Sequence, residues 1–222
     1  MEIKNYFIFA AHPDDEVLGC GGTIAKIASN KKNHVTLMTF TNGVSARNEH
    51  NKKDILVRER ALKKAAKVLG IKSLICGNFP DNAMDSVPLI EICQFIEKNL
   101  KKNPDVIFTH NPECLNIDHK TVYQAVITVF RPQYGKEIEI NCFDIPSSSD
   151  WNPLNSSNYN LFIDVSKTYR KKIQALSFYE KEIKKYPHQR SYQSILNKLK
   201  SDGNIVGFKY AEKFQIIRKI IK

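Results

Sequence analysis

The chain has 222 residues, of which 42% are hydrophobic, and its 34 basic and 23 acidic residues give a formal net charge of +11. This length fits one α/β domain with a substantial core, and the longest apolar runs fall far short of the roughly 20 residues needed to cross a membrane. Paired lysines are spread along the chain without interleaved aromatic residues, so we interpret the charge as a solvated surface and expect no nucleic-acid partner.

The start of the chain and its cysteines indicate a cytoplasmic protein. The first four residues include an acid and the apolar run that follows them is short, so we expect no signal peptide. The five cysteines are dispersed and form no CxxC pair. Such a set argues against a disulfide framework and against a thiolate zinc site.

Strands and helices alternate through the first two-thirds of the chain. The apolar patterns predict strands at residues 6–11, 34–41, 73–76, 106–109 and 137–143, and helices at 18–29, 54–69, 87–101 and 119–129. This alternation predicts an α/β fold, with a Rossmann-like, doubly wound, mostly parallel sheet and helices on both faces. In the strand order 3-2-1-4-5, strands 1 and 4 are neighbours, and ligands bind in the crevice beyond their carboxyl ends.

The last third of the chain has a different pattern. A polar loop at 147–153 precedes a short predicted strand at 159–165, and helices are predicted at 167–184, 192–200 and 210–222. We interpret residues 1–145 as the Rossmann-like core and residues 146–222 as a C-terminal extension packed on it. Residues 1–222 would then form a single domain.

The most informative residues follow the first predicted strand. His12 and Asp15 are three positions apart and can bind one metal ion, which places Asp14 beside any water that the metal carries. A metal-activated water next to a carboxylate base is typical of a hydrolase. Glu16 is a candidate for supporting a neighbour or for stabilising a helix N-terminus, and we prefer the second.

A second cluster follows the fourth predicted strand and includes His110, Asp118 and His119. Two ligands from the first loop and a third from this one would give a three-ligand zinc site with an open position. A histidine ligand favours zinc over the magnesium of phosphatase-like folds, which also place aspartates after strand 1. The glycine-rich run at 19–22 does not complete a dinucleotide fingerprint, because Ile24 stands where the third glycine belongs.

Taken in chain order, these motifs resemble those of the PIG-L/LmbE-like zinc-dependent N-acetylglucosaminyl deacetylases. The first block spans residues 11–16 and 19–22, and blocks at 58–60, 65–70, 79–82 and 109–119 follow at suitable spacing. The resemblance covers residues 5–130. Shorter blocks at 144–148, 187–191 and 207–212 are similar to a bacterial subgroup of the family.

The resemblance implies roles for individual residues. One zinc ion per chain would be bound by His12, Asp15 and His119, with Fe²⁺ or another divalent metal as the alternative. Asp14 would be the general base. Arg58 and Asp81 would hold sugar hydroxyls in the substrate cleft.

One position departs from the family pattern. Many relatives have a histidine where Asn116 stands, and that histidine is thought to stabilise the oxyanion. An amide donates a hydrogen bond but carries no proton at neutral pH, so Asn116, His110 and His188 are all candidates for this role. Asp118 is predicted to orient a neighbouring histidine ring. Cys114 stands where an acid is common in the subgroup.

Three residues of the last third are candidates for the substrate cleft, namely Trp151, His188 and Arg190. An indole stacks on a sugar face, and a guanidinium binds a phosphate or a carboxylate. A position in the core is the alternative for Trp151.

The sequence therefore predicts a hydrolase that removes the acetyl group from an N-acetylated amino sugar or sugar conjugate, with metal-activated water attacking and Asp14 as general base. The expected partner is a small N-acetyl sugar, a nucleotide sugar or a glycoconjugate, and we expect a homo-oligomer. Two alternatives remain open: a zinc amidase acting on a non-sugar substrate, and a non-catalytic sugar-binding protein of the same fold.

Overall fold

Seven strands are found among residues 4–46, 52–132, 137–154 and 156–221, which are those that the computed structural model describes. They are β1 (Asn5–Ala10), β2 (His34–Thr39), β3 (Ser73–Cys76), β4 (Val106–His110), β5 (Glu139–Phe143), β6 (Leu161–Asp164) and β7 (Ala211–Arg218). Their order is β3-β2-β1-β4-β5-β7-β6. The first five strands pair in parallel, and β7 pairs antiparallel with both β5 and β6.

Helices cover both faces of this sheet. They are α1 (Asp15–Ser29), α2 (Lys52–Leu69), α3 (Leu89–Asn99), α4 (Ile117–Val129), α5 (Tyr169–Leu176) and α6 (Tyr192–Ile205), with 3-10 turns at Met84–Ser86 and Glu180–Glu182. Successive residues of a strand point to opposite faces, so Ile8 joins the core under α1, α2 and α5 while Phe9 joins the core under α3 and α4. The predicted α/β fold, with a mostly parallel sheet and helices on both faces, is confirmed.

The predicted order of the parallel strands is also confirmed. β1 lies between β2 and β4, with Ile8 opposite Phe108. The carboxyl ends of β1 and β4 therefore meet at one edge of the sheet, where the loops carrying the two His/Asp clusters emerge.

The prediction of a helix at 210–222 is wrong, because residues Ala211–Arg218 form strand β7. The apolar residues of this stretch suit either state, since a short run cannot be assigned from periodicity alone. The free edge of β5 decides between the two states. Phe214 packs into one core and Ile217 against the other, because successive residues of a strand point to opposite faces of the sheet. The predicted helix at 167–184 is shorter than expected and ends at Leu176.

The glycine run of α1 serves packing. The helix kinks at Cys20, and beyond the kink the amides of Gly22 and Thr23 donate to the carboxylate of Glu212 at 3.0 and 2.7 Å. A Cβ on Gly22 would lie 3.0 Å from the side chain of Val165. The run therefore lets β7 and the segment before α5 approach α1 closely.

Among the residues that the structure describes, no helix combines the length and the apolar character that crossing a membrane requires.

Candidate metal and active site

Three side chains converge at the carboxyl edge of β1 and β4. His12 lies in the turn after β1, Asp15 is the first residue of α1, and His119 lies in the first turn of α4. His12 Nδ1 is 3.1 Å from Asp15 Oδ2 and 3.2 Å from His119 Nε2, and the last two atoms are 3.2 Å apart. All three residues are buried.

These distances fit a metal centre. Zinc ligands at about 2.0 Å in tetrahedral geometry are separated from one another by about 3.3 Å, close to the spacing of the three donor atoms. Two imidazole nitrogens and one carboxylate oxygen are a donor set suited to zinc or iron. Three protein donors would leave a tetrahedral metal one position for a further ligand.

The electrostatics of this centre favour a cation. Burial lowers the pKa of His12, but the hydrogen bonds with Asp118 and Asp15 outweigh it and raise the pKa to about 10. Burial likewise acts to raise the pKa of the Asp15 carboxyl. The neighbouring rings of His119 and His12 outweigh burial and hold this pKa well below the usual range. A site that attracts protons so strongly attracts a divalent cation for the same reason.

Asp118 fixes the ring of His12. Its carboxylate accepts hydrogen bonds from His12 Nε2 at 3.0 Å and from the amides of Asn82 and Met84 at 2.7 and 3.0 Å. His12, Asp81 and Asp118 form a second close trio. The first trio is the better candidate, because Asp118 already accepts three hydrogen bonds and the one from His12 Nε2 leaves Nδ1 facing Asp15 and His119.

The ring of His119 has a different partner. Cys114 Sγ lies 3.0 Å from His119 Nδ1 and 2.9 Å from the hydroxyl of Ser148. The sequence marks Cys114 as a departure from the family pattern, but it gives no sign of this contact.

Asp14 lies beside the trio in a left-handed conformation with φ of 116°. Its amide donates to Glu16 at 2.9 Å, and Glu16 in turn accepts the hydroxyl of Tyr179 at 2.7 Å. Glu16 is fully buried, so it supports its neighbour rather than merely favouring the helix N-terminus, contrary to our preference from the sequence. Burial raises the pKa of Glu16 to about 7.

The carboxylate of Asp14 faces arginines. It lies 3.0 Å from Arg58 Nη2 and 3.6 Å from Arg190 Nη1, and it makes no capping hydrogen bond to α1. Burial raises the pKa of Asp14 above its usual value, while the Arg58 guanidinium acts in the opposite direction. Glu182 lies on the other side of Arg58, 2.7 Å from Nη1.

A cleft of about 340 Å³ opens above these groups. Its walls combine the three candidate metal ligands and Asp14 with further residues, most of them polar: Gly43, Ala46, Arg58, Asp81, Asn82, Asn116, Glu182 and Arg190. The cleft therefore offers charged and amide groups to a polar ligand.

Asn116 and Asp81 line this cleft but are already engaged. Asn116 Oδ1 caps α4 by accepting from the amides of Asp118 and His119, and its Nδ2 donates to Asn82 Oδ1 at 2.8 Å. Asp81 accepts from Thr41 at 3.3 Å and from the amide of Ala46 at 3.1 Å.

His110 does not reach the cleft. Its ring is fully buried and stacks on His119, with ring centroids 3.9 Å apart. Its Nε2 accepts the amide of Ala11 at 2.8 Å, and burial, with the charge of His119, lowers its pKa well below the usual value. His110 is not among the described residues that line the cleft, so the structure places it behind His119, and its catalytic role stays a prediction.

The three candidates from the last third lie in different places. Arg190 lines the cleft, whereas Trp151 and His188 are not among the described residues that do. Trp151 is 51% exposed, so the alternative of a core position is wrong. Its ring packs edge-on against that of His188, with ring centroids 5.4 Å apart. His188 accepts the amide of Arg190 at 3.0 Å, which helps to place the guanidinium. Tyr179 and Glu182 carry no motif, so sequence reasoning missed them.

Comparisons with known proteins find relatives that are named as deacetylases. The chain is 27% identical over 135 residues to the uncharacterized deacetylase YaiS of Escherichia coli, covering 58% of this chain and 69% of the relative. It is 30% identical over 132 residues to a probable N-acetyl-alpha-D-glucosaminyl L-malate deacetylase 2 of Bacillus cereus, covering 56% of this chain and 60% of that relative.

Solved structures share the fold across nearly the whole chain. An N,N'-diacetylchitobiose deacetylase from Pyrococcus horikoshii matches with a TM-score of 0.76 and 19% identity, covering 97% of this chain and 84% of that one. GalB, a 4-carboxy-2-hydroxymuconate hydratase from Pseudomonas putida, matches with a TM-score of 0.71 and 19% identity, covering 99% and 98%. The fold alone therefore does not decide the reaction.

The sequence decides the family. The PIG-L family, described as GlcNAc-PI de-N-acetylase, matches residues 7–130, which contain His12, Asp14, Asp15 and His119. The match covers more than half of the chain and includes both His/Asp clusters. The chain belongs to the PIG-L family of deacetylases.

Proposed function

We propose that the chain is a metal-dependent hydrolase that removes the acetyl group from an N-acetylated amino sugar or sugar conjugate of the N-acetylglucosamine type. The observation that carries the proposal is the convergence of His12, Asp15 and His119 beside the carboxylate of Asp14, at the floor of an open polar cleft. The names of two similar proteins, the Bacillus relative and the Pyrococcus enzyme, both refer to deacetylation of such sugars.

His12, Asp15 and His119 would hold one zinc ion, or Fe²⁺ in its place, since both metals accept this donor set. The bound metal would supply a Lewis acid and lower the pKa of a water molecule to about 7. Asp118 accepts the hydrogen bond of His12 Nε2 and so turns Nδ1 of that ring toward the centre.

Asp14 is the proposed general base. Its carboxylate makes no capping hydrogen bond to α1. Burial raises the pKa of this carboxylate, which makes it a better acceptor for a proton. It takes a proton from the attacking water and then delivers one to the leaving amine, so that the amide carbon–nitrogen bond breaks and acetate and a free amine result. The strained backbone of Asp14 is held in this position by Glu16.

Asn116 is the proposed oxyanion donor. Its Nδ2 donates one hydrogen bond to Asn82 and has a second N–H, at a position on the cleft wall. A donor of this kind is typically worth about 3 kcal/mol in transition-state stabilisation.

Arg58, Asp81 and Arg190 are the proposed contacts for the sugar. The two guanidiniums flank Asp14, and Asp81 lies 3.4 Å from the ring of His12, so a ligand that meets all three also meets the reactive centre. A cleft of about 340 Å³ has room for one sugar ring with its acetamide. The substrate is therefore a small N-acetyl sugar, a nucleotide sugar or a glycoconjugate whose remainder extends outside.

The test combines elemental analysis with a screen for acetate release. Protein purified without added metal should contain about one equivalent of zinc or iron and should release acetate from N-acetylglucosamine derivatives. Acetate release from non-sugar amides alone would replace the substrate class with that of a general amidase. Bound metal and bound sugar without any turnover would favour a sugar-binding protein, and absence of metal even after titration would contradict the proposal.

A further inference from the structure

A histidine that binds a metal through one ring nitrogen needs an acceptor on the other, which fixes the tautomer and the direction of the ring. For His12 this acceptor is the carboxylate of Asp118. For His119 the neighbour of Nδ1 is the sulfur of Cys114, at 3.0 Å. A thiol thus stands at the position that a carboxylate or a carbonyl oxygen usually takes.

Two segments of the chain hold this sulfur in place. Cys114 is fully buried, and its amide donates to the carbonyl of Asn111 in the loop after β4. The hydroxyl of Ser148 lies 2.9 Å from Sγ, and the amide of Ser148 donates to the carbonyl of Ile145. The sulfur therefore bridges the first turn of α4 and the loop after β5.

The surroundings of Cys114 differ from those of two other buried cysteines. Cys20 Sγ lies 3.5 Å from the carbonyl of Glu16, and Cys93 Sγ lies 3.9 Å from that of Ala125. Cys114 Sγ instead lies between an imidazole nitrogen at 3.0 Å and a hydroxyl at 2.9 Å. The sulfur is therefore placed to accept the N–H of the imidazole.

We propose that Cys114 is the positioning residue of His119: its sulfur accepts the Nδ1–H bond and so directs Nε2 at the metal centre. Cys114 is not itself a metal ligand, because it contacts the nitrogen on the side of the ring away from Asp15 and His12. The inference rests on the metal centre of the proposed function, but it is independent of the substrate.

The experiment compares zinc affinity, measured by competition with a chelator in the absence of substrate, across four variants of the full chain. Cys114→Val removes the acceptor at similar volume and should weaken zinc binding about 10- to 100-fold. Cys114→Ser and Cys114→Asp restore an acceptor and should bind zinc within a few-fold of wild type. Cys142→Val, which removes a buried thiol from β5, is the control and should leave affinity unchanged.

Two results would overturn the inference. Wild-type affinity in Cys114→Val is one, and equal losses in the Val, Ser and Asp variants are the other, since that pattern reports packing. Substitution of cobalt(II) adds a spectroscopic readout: wild type should lack a sulfur-to-cobalt charge-transfer band, and a band that disappears in Cys114→Ser would make Cys114 a ligand. If Cys114→Val does not fold, the Ser and Asp variants and the cobalt spectrum still test the inference. A large loss of zinc affinity in both variants, or a sulfur-to-cobalt band, would contradict it.

The outcomes separate this inference from the proposed function. The expected affinity series together with no acetate release from any amide would leave Cys114 in its role and reject the deacetylase. Acetate release by the wild type, together with unchanged zinc affinity in Cys114→Val, would support the deacetylase and reject the role of Cys114. A wild-type protein that takes up no metal would reject both.

Discussion

Asp14 combines an uncommon backbone conformation with a crowded charge environment. A left-handed φ at a residue other than glycine costs about 1–3 kcal/mol and persists where neighbours enforce it. Here the carboxylate of Glu16 accepts the Asp14 amide, and Tyr179 holds Glu16. The strain directs the Asp14 side chain toward Arg58 and the cleft rather than into a helix cap.

We expect Asp14→Asn to retain metal and to lose activity by about 10²- to 10⁴-fold, because the amide cannot accept a proton. Elemental analysis and acetate release measure the two effects. Asp54→Asn is the matched control, since Asp54 pairs with Lys181 on the surface and should leave both quantities near wild type. An unchanged rate in Asp14→Asn would remove Asp14 from the role of base.

His119→Ala should lose the metal, because it removes one of three donors from the centre. His34→Ala is the control: His34 begins β2 at the opposite end of the sheet, where its ring contacts Ser73. Metal content by elemental analysis compares the two. Full occupancy in His119→Ala would contradict our assignment of the ligands.

The sequence predicts the convergence of these donors, because parallel strands in a known order end at one edge. It does not predict Tyr179 and Glu182. Their side chains reach the site through the packing of a segment more than 160 residues beyond Asp14, and no local pattern marks them.

At the scale of elements, α1 depends on residues from the far end of the chain. Glu212 of β7 accepts the amides of Gly22 and Thr23, just beyond the kink of α1, and Lys172 of α5 forms an ion pair with it at 2.7 Å. Both side chains are buried. The pair therefore joins α1, α5 and β7, and it steadies the helix that presents Asp15.

Lys172→Met should destabilise the fold by about 3–5 kcal/mol, since it leaves the carboxylate of Glu212 buried without a counter-charge. Lys181→Met removes one partner of an exposed pair with Asp54 and should cost less than about 1 kcal/mol. Urea denaturation gives the free energy of unfolding of each variant. Equal losses in the two variants would show that burial does not distinguish these pairs.

The strands of the first two-thirds of the chain could be predicted because each is short, apolar and followed by a helical pattern. β7 could not, since Phe214, Ile217 and Ile221 also have helical spacing. Residues 211–218 form a strand because β5 offers them an edge for pairing. That edge exists only in the assembled sheet, so the residues themselves do not reveal it.

At the scale of the whole molecule, the candidate metal ligands come from distant parts of the chain. His12 and His119 are 107 residues apart in sequence, and their donor atoms lie within 3.2 Å of each other. An ion bound there would connect the turn after β1, the start of α1 and the start of α4, so it would stabilise the folded state by mass action.

Removal of the metal should therefore lower the melting temperature. Zinc at 100 times its dissociation constant contributes about 2.7 kcal/mol, which corresponds to about 5–10 °C for a chain of this size. Calorimetry of the protein with zinc and after chelation measures the difference, and His119→Ala should show none. A melting temperature that does not respond to zinc in wild type would contradict the assigned centre.

The family match ends at residue 130, whereas Arg190 and Glu182, which form part of the cleft wall, come from the last third of the chain. The three candidate donors thus lie within the family match, whereas part of the cleft wall lies beyond it. Changes after residue 145 can alter which molecule fits while all three donors stay in place. A chain with this fold can therefore exchange part of its cleft wall through its last third alone and keep all three candidate donors.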